Sequence, residues 1–277
     1  MKYGNFRQMF RVSLALGLIA VGSSVHAETL RIGGTGAALG GMQILGNAFE
    51  KQRPGLTVSV QPSLGSSGGI RALMAGAIDL AVASRALKDE ETAKGATARL
   101  YATTPLAVVT STATSADAVT TQELADMYAG ATQIWPSGER VRIVLRPRSE
   151  IDIEILRGLS DDMARAVDTA VERTGLVVAA NDQENAETLE RLPGSLGLVA
   201  IGQIATERRR LKVLAHDGIL PGVKNTDKRS KMFVKSFYLV TIDAMSPAAS
   251  AFVAFVFSAE GQAILASFGH SPVIVSS

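Results

Sequence analysis

Three short segments of this sequence place hydroxyl groups, bare backbone or an arginine directly after a strand-like run. They are GGTGAALGG (33–41), GSSGG (65–69) and the pair Ser84-Arg85 after the apolar run AVA. The first turn of a helix carries N–H groups without intrahelical partners and a partial positive charge, so it attracts anions. Any one of these serines could simply cap a helix. The convergence of three such segments favours a binding site for a small anion.

The segment GSSGG also matches the G-x-S-x-G pattern of serine hydrolases, with Ser67 as the nucleophile. Such an enzyme needs a histidine and an acid, and after residue 27 only His216 and His270 remain, neither in a recognisable context. A secreted serine hydrolase therefore stays only an alternative. The main expectation is that the protein is not an enzyme and has no catalytic residue and no metal.

The first glycine-rich run, GGTGAALGG, has Leu39 where a dinucleotide loop has its third glycine, so we expect no cofactor.

The first 27 residues have the features of a secretory signal peptide. Lys2, Arg7 and Arg11 precede an apolar run from residue 12 to 21, which is too short to span a bilayer. Val25 and Ala27 supply the small side chains that signal peptidase needs, which predicts cleavage after Ala27. We therefore expect a periplasmic protein, and its lack of cysteine excludes support from disulfides.

Charge and composition narrow the class of ligand. Residues 1–27 hold three basic residues and no acidic one, so the rest of the chain has 28 − 3 = 25 basic and 26 acidic residues. This near neutrality argues against nucleic acid as a partner, which selects clustered basic surface. Aromatic residues make up only 5% of the chain. Since sites for sugars or flat organic ligands usually use aromatic faces, a small ligand is favoured.

Strand-like and helix-like segments alternate along the chain, which predicts an α/β fold with a mostly parallel sheet covered by helices. The expected strands are LRIGG, LTVSVQP, IDLAVAS, PLAVVTS, VRIVLR, SLGLVAI and FYLVT. The expected helices are MQILGNAFEK, GIRALMAG, QELADMYAG, residues 150–159 and 161–173, AETLERL, and two helices after Ser246 and Ser258.

Four segments together resemble the periplasmic phosphate-binding proteins of phosphate ABC transporters, within the type II solute-binding fold. They are GSSGGIRALMAGAIDLAVASRALKDEE, VTTQELADMYAGATQIWPSGERVRIVLR, GSLGLVAIGQI and FVAFVFSAEGQAILASFGHSPV. Their order along the chain is that of the family. The resemblance implies two α/β lobes with the ligand cleft between them. It implies a first lobe of residues 28–109 plus 238–277 and a second lobe of residues 110–237.

The resemblance also implies a set of ligand-binding residues from both lobes. The first loop contributes backbone N–H groups and a hydroxyl, the second loop a serine that corresponds to Ser66, and the second lobe an arginine that closes the site and corresponds to Arg146. In this sequence the implied residues are Thr35, Gly36, Ala38, Leu39, Ser66, Ser84, Arg85, Arg146, Arg148 and Ser149.

Two positions differ from the family pattern. Arg85 stands where many members have an aspartate after the serine. The family's arginine is followed by a Ser-Gly-Thr turn, whereas here RPRSEIDIE brings Glu150 and Asp152 near those positions. A carboxylate repels a dianion unless it accepts the ligand's own proton.

The sequence thus predicts a periplasmic solute-binding protein for phosphate or a related oxyanion. The resemblance implies an inner-membrane ABC permease as its partner and a monomeric state. The alternative from another class is a solute-binding-like protein repurposed as a sensor or adhesion module that binds no free anion.

Overall fold

The computed structural model describes Met1 and residues 28–222 and 233–273, apart from the Pro272 side chain. The predicted signal peptide lies outside the described residues. The strands are β1 (Glu28–Gly34), β2 (Leu56–Val60), β3 (Leu80–Ala83), β4 (Ala96–Ser111), β5 (Ala118–Val119), β6 (Arg142–Leu145), β7 (Val177–Val178), β8 (Ser195–Ala200), β9 (Leu211–Val213), β10 (Ala215–His216), β11 (Val234–Ile242) and β12 (Ser271–Pro272). The helices are α1 (Gly36–Gln52), α2 (Gly65–Met74), α3 (Asp89–Thr92), α4 (Thr121–Ala129), α5 (Ile151–Arg157), α6 (Asp161–Glu172), α7 (Asp182–Arg191), α8 (Ile201–Glu207), α9 (Pro247–Val256) and α10 (Ala259–Ser267).

One sheet runs through the molecule in the order β2-β1-β3-β11-β4-β8-β6-β7, with β9 and β12 also paired to β4. Its two ends are parallel, because β1 pairs with β2 and β3, and β6 pairs with β7 and β8, in parallel. Its centre is antiparallel, because β11 runs against both β3 and β4, and β4 runs against β8. The expected mostly parallel sheet is therefore found only at the two ends, since the chain returns through β11 in the opposite direction.

Strand β4 joins the two halves of the sheet. Its residues 96–105 pair with β11, and its residues 106–111 pair with β8 and β9. The first half carries α1, α2, α9 and α10, and the second carries α4 to α8. The predicted lobe boundaries at residues 109 and 237 stay predictions, although both fall at or beside these central strands.

Short-range signals in the sequence set the ends of several helices as expected. Thr120 and Glu123 form a reciprocal capping box at the start of α4, and Gly130 ends that helix at a φ of 83°. Ser246 caps α9, whose first residue is Pro247, and Ser258 caps α10. These predictions are confirmed.

The first helix of the chain is anchored by an apolar face. Met42, Leu45 and Phe49 of α1 are buried, as their helical spacing predicts. The Phe49 ring lies 5.3 Å from Phe252 and 5.4 Å from Phe255, both on α9.

Within the described residues no single helix is long and apolar enough to cross a bilayer. The consecutive helices α9 and α10 reach that length and hydropathy only together, with a 60° bend between them.

Candidate functional site

The three segments that the sequence singled out meet at one place in the structure. Strands β1 and β3 are parallel neighbours, so the residues that follow them, Thr35 and Ser84, lie side by side. The Thr35 and Ser84 hydroxyl oxygens are 3.4 Å apart. Ser66, in the first turn of α2, has its hydroxyl 3.2 Å from that of Ser84 and accepts the Ser84 N–H at 3.0 Å. The predicted convergence of the three loops is confirmed.

A glycine at the end of β1 makes this approach possible. Gly34 has a φ of 139°, and a Cβ placed on it would lie 1.9 Å from the Val82 carbonyl oxygen. No side chain fits between these two parallel strands at that point. The close pairing holds Thr35 against the end of β3, because the Thr35 N–H donates to the same Val82 carbonyl at 2.9 Å.

A carboxylate from the second half of the molecule occupies the start of α1. Oδ2 of Asp182, the first residue of α7, accepts a hydrogen bond from the Ala37 N–H at 3.0 Å and lies 3.4 Å from the Thr35 hydroxyl. Asp182 is 4% exposed. An otherwise unpartnered first-turn N–H and a hydroxyl are the groups expected to bind an anion, and here the anion is part of the chain.

Two buried cations surround the same carboxylate. Lys235 Nζ on β11 is 3.1 Å from Asp182 Oδ1 and 2.9 Å from Asp152 Oδ1. Arg146, which follows β6, has Nη2 at 3.7 Å from Asp182 Oδ1 and 3.4 Å from Glu150 Oε2. Arg146 also donates from Nη1 to the Ala179 carbonyl at 2.6 Å. We call the Thr35 hydroxyl, the Ala37 N–H, Arg146 and Lys235 the anion cradle.

The cluster contains two cations and three carboxyl groups, and burial affects the pKa of Asp182, Lys235 and Glu150. Burial opposes ionisation of Asp182, but Lys235 and Arg146 outweigh it and lower the pKa of that carboxyl. Burial likewise opposes the charge on Lys235, yet Asp152 and Asp182 outweigh it and raise its pKa. Burial raises the pKa of Glu150, because Arg146 only partly offsets it and Asp182 repels the charge. Glu150 thus accepts a proton more readily than Asp182 does.

A pocket of about 280 Å³ lies beside the cradle, between the start of α2 and the start of α5. Ser66, Ser84 and Arg85 line it from one side, and Ser149 and Glu150 line it from the other. The pocket is therefore bounded by both halves of the molecule, as expected of a ligand cleft between lobes.

The remaining predicted ligand residues are placed differently. Arg85 lines the pocket, but its guanidinium is held by Glu91 at 2.7 Å, and these hydrogen bonds lower the pKa of Glu91 to about 2. Arg148 is exposed and lies 3.4 Å from Glu172, away from the cradle. Gly36, Ala38 and Leu39 form the buried first turn of α1, where the Ala38 N–H donates to the Thr35 carbonyl within the turn.

The structure does not assemble a serine hydrolase around Ser67. The Ser67 hydroxyl accepts a hydrogen bond from Arg85 Nη2 at 2.9 Å. Of the histidines that the structure describes, His216 hydrogen-bonds with Thr121 and His270 packs against Phe237. Neither is placed to take a proton from Ser67.

Among the described residues, no group of three or more His, Cys, Asp or Glu side chains is arranged so that it could hold a metal ion.

Sequence reasoning missed Ala37, Asp182 and Lys235. The structure shows the period-2 pattern of a strand around Lys235, because Lys235, Phe237 and Leu239 of β11 are buried and the residues between them are less so. A lysine on the buried face of a strand is a functional candidate, since it needs a partner. Asp182 gave no such signal, because Asn181-Asp182 looks like an ordinary helix start, and Asn181 does cap α7.

A family model described as the PBP superfamily domain matches residues 20–260. The chain belongs to this superfamily. It is also 29% identical over 113 residues to phosphate-binding protein PstS 2 of Streptococcus agalactiae, a match that covers 41% of this chain and 38% of that protein. With PstS 2 of Streptococcus pneumoniae it shares 35% identity over 94 residues, covering 34% of this chain and 32% of that protein. Each match thus spans less than half of the relative's length. The matches confirm the resemblance noted in the sequence.

Solved structures show that this PBP-superfamily chain has the fold predicted for it. A putative phosphate ABC transporter substrate-binding protein with bound phosphate, from Clostridium perfringens, aligns with a TM-score of 0.74 at 20% identity, covering 89% of this chain and all of that one. An ABC-type phosphate transport receptor from Vibrio cholerae aligns with a TM-score of 0.62 at 21% identity, covering 88% of this chain and all of that one. The prediction of a two-lobed type II binding-protein fold is confirmed.

Proposed function

We propose that this protein is a solute-binding protein that captures phosphate or a related oxyanion and delivers it to an ABC permease in the inner membrane. The observation that carries the proposal is the cradle itself. It holds a carboxylate through a hydroxyl, a helix N-terminal N–H and two buried cations, so its chemistry is that of an anion site. The names of the relatives and of the aligned structures support phosphate as the first ligand to test.

Closure of the two lobes is the proposed mechanism of capture. Thr35, Ala37, Ser66 and Ser84 belong to the first half of the molecule, and Arg146 belongs to the second. An anion that contacts both halves shifts the equilibrium between open and closed forms towards the closed one. We further propose export to the periplasm with cleavage after Ala27, so that the mature monomer begins at Glu28.

The test is calorimetric titration of the mature protein, stripped of ligand, with phosphate, arsenate and sulfate. Arg146→Ala should weaken phosphate binding by roughly 10- to 150-fold, since a charge-assisted contact contributes about 1.5–3 kcal/mol. Arg148→Ala is the matched control, because Arg148 is exposed against Glu172 and should leave the affinity within about twofold. Equal effects of the two substitutions would mean that the anion does not lie at the cradle.

The second candidate function is a sensor or adhesion module that binds no free anion. The specific observation in its favour is that Asp182 already fills the cradle. The same titration separates the two functions. If none of the three anions produces heat or raises the melting temperature of the wild-type protein at millimolar concentration, transport of these anions is excluded and the second candidate is favoured.

A further inference from the structure

The Asp182 carboxylate makes the contacts that an anionic ligand of this site would make. It accepts the Ala37 N–H, approaches the Thr35 hydroxyl and faces Lys235 and Arg146. We propose that Asp182 is an internal competitor of the ligand, and that a free oxyanion binds in the cradle by displacing this carboxylate. The inference rests on the proposed function, because it concerns the same site.

The charges of the cluster require displacement and do not permit simple addition. Arg146 and Lys235 already lie against the carboxyl groups of Glu150, Asp152 and Asp182, so neither cation is without an anionic partner. A phosphate added to this cluster brings buried negative charge that no further cation compensates. When Asp182 leaves, Arg146 and Lys235 each lose one carboxylate partner, and an incoming anion takes its place.

Displacement of Asp182 breaks contacts between the two halves of the molecule. Asp182 begins α7, and the next residue, Gln183, donates to the Gly36 carbonyl at 2.8 Å. The two helix starts are so close that a Cβ on Gly36 would lie 2.3 Å from Gln183 Oε1. The carboxylate leaves the cradle when the first turn of α7 moves away from α1, and the lobes close again once the anion has taken its place.

A tethered competitor lowers the apparent affinity of the site for a free ligand. The apparent affinity is the intrinsic affinity multiplied by the fraction of protein with a vacant cradle, so the smaller the fraction that Asp182 leaves vacant, the weaker the binding. Asp182 thus sets the phosphate concentration at which the protein responds. An anion that brings more charge than one carboxylate gains more from Arg146 and Lys235 and competes better.

The experiment is titration with inorganic phosphate of the wild-type mature protein, Asp182→Asn and Asp117→Asn, each stripped of ligand beforehand. Asp182→Asn should bind phosphate at least about tenfold more tightly than the wild type, because a neutral amide competes poorly for the two cations. Asp117→Asn makes the same change in net charge at an exposed carboxylate that pairs with Lys212, and should leave the affinity unchanged.

The outcomes separate this inference from the proposed function. If the wild type binds phosphate and Asp182→Asn binds it no more tightly, the anion lies elsewhere in the cleft and the inference is wrong, while the proposed function stands. If only Asp182→Asn binds, the inference is upheld and phosphate capture by the wild type is refuted. If neither binds, both are refuted.

A second variant keeps the test open if Asp182→Asn does not fold. Gln183→Ala removes the hydrogen bonds from Gln183 to Gly36 and Glu207 without changing any charge. It loosens the contact that holds Asp182 in place, so it should tighten phosphate binding by roughly threefold or more. Unchanged or weaker binding by this variant overturns the inference.

Discussion

Removal of the Lys235 side-chain charge should strongly destabilise the protein in the absence of ligand. Lys235 is 1% exposed and is the partner of both Asp152, at 2.9 Å, and Asp182, at 3.1 Å. In Lys235→Met the side chain keeps its approximate volume, but two buried carboxylates lose their cation. Removing one partner of a buried ion pair costs about 3–5 kcal/mol, and here Arg146 remains only 3.7 Å from one of the two carboxylates.

The assay is urea denaturation followed by circular dichroism, on protein freed of anions that stabilise the fold by binding. With a denaturant slope of about 2–3 kcal/mol/M, a loss of about 3–5 kcal/mol lowers the midpoint by roughly 1–2.5 M. Lys212→Met is the matched control, because Lys212 pairs with Asp117, whose side chain is 91% exposed, and its loss should cost about 0–1 kcal/mol.

Two results would bear directly on the reasoning about Lys235. Adding Asp152→Asn to Lys235→Met should restore part of the lost stability, since one of the two uncompensated carboxylates is then removed. If Lys235→Met is instead as stable as Lys212→Met, the buried cation is not what neutralises Asp152 and Asp182, and the charge argument for the cradle fails with it.

Two further predictions concern the backbone and the pH dependence of stability. Gly34→Ala should lower the unfolding free energy by about 3 kcal/mol or more, because its Cβ would clash with the Val82 carbonyl. Gly76→Ala, at a φ of 69° with open space around it, should cost about 1–2 kcal/mol. Equal losses of the two variants in urea denaturation would contradict this. Burial lowers the pKa of His270 from 6.5 to about 4, so the unfolded state binds the proton more readily. The unfolding free energy should therefore fall by about 3 kcal/mol between pH 7 and pH 4, less steeply in His270→Asn, and equal pH slopes would refute this.

Much of the fold could be predicted because its signals are local. The capping box of Thr120 and Glu123, the left-handed Gly130 and the Ser246-Pro247 start each depend on residues within one helical turn. The sheet was predicted less completely. Strand β11 runs against both β3 and β4, and that pairing depends on contacts between segments more than a hundred residues apart, which local periodicity does not encode.

The residues that the first lobe contributes to the site could also be predicted from the sequence. Thr35, Ser66 and Ser84 each follow a strand or begin a helix, and parallel strands bring such ends together. Arg148 shows the limit of the same reasoning. It lies two residues from Arg146, but only Arg146 is directed inwards, because the turn after β6 carries Arg148 to the surface beside Glu172.

The sequence by itself determined the α/β fold class and indicated an anion site, because the alternation of strands and helices and the hydroxyl groups at their ends are properties of short segments. Tertiary structure alone decided what occupies the anion cradle. Asp182, Lys235 and Thr35 are far apart in the chain, and each has an ordinary local role at a helix start or in a strand. They become one buried cluster only when the two halves of the sheet close on each other, because charges removed from water must then compensate one another.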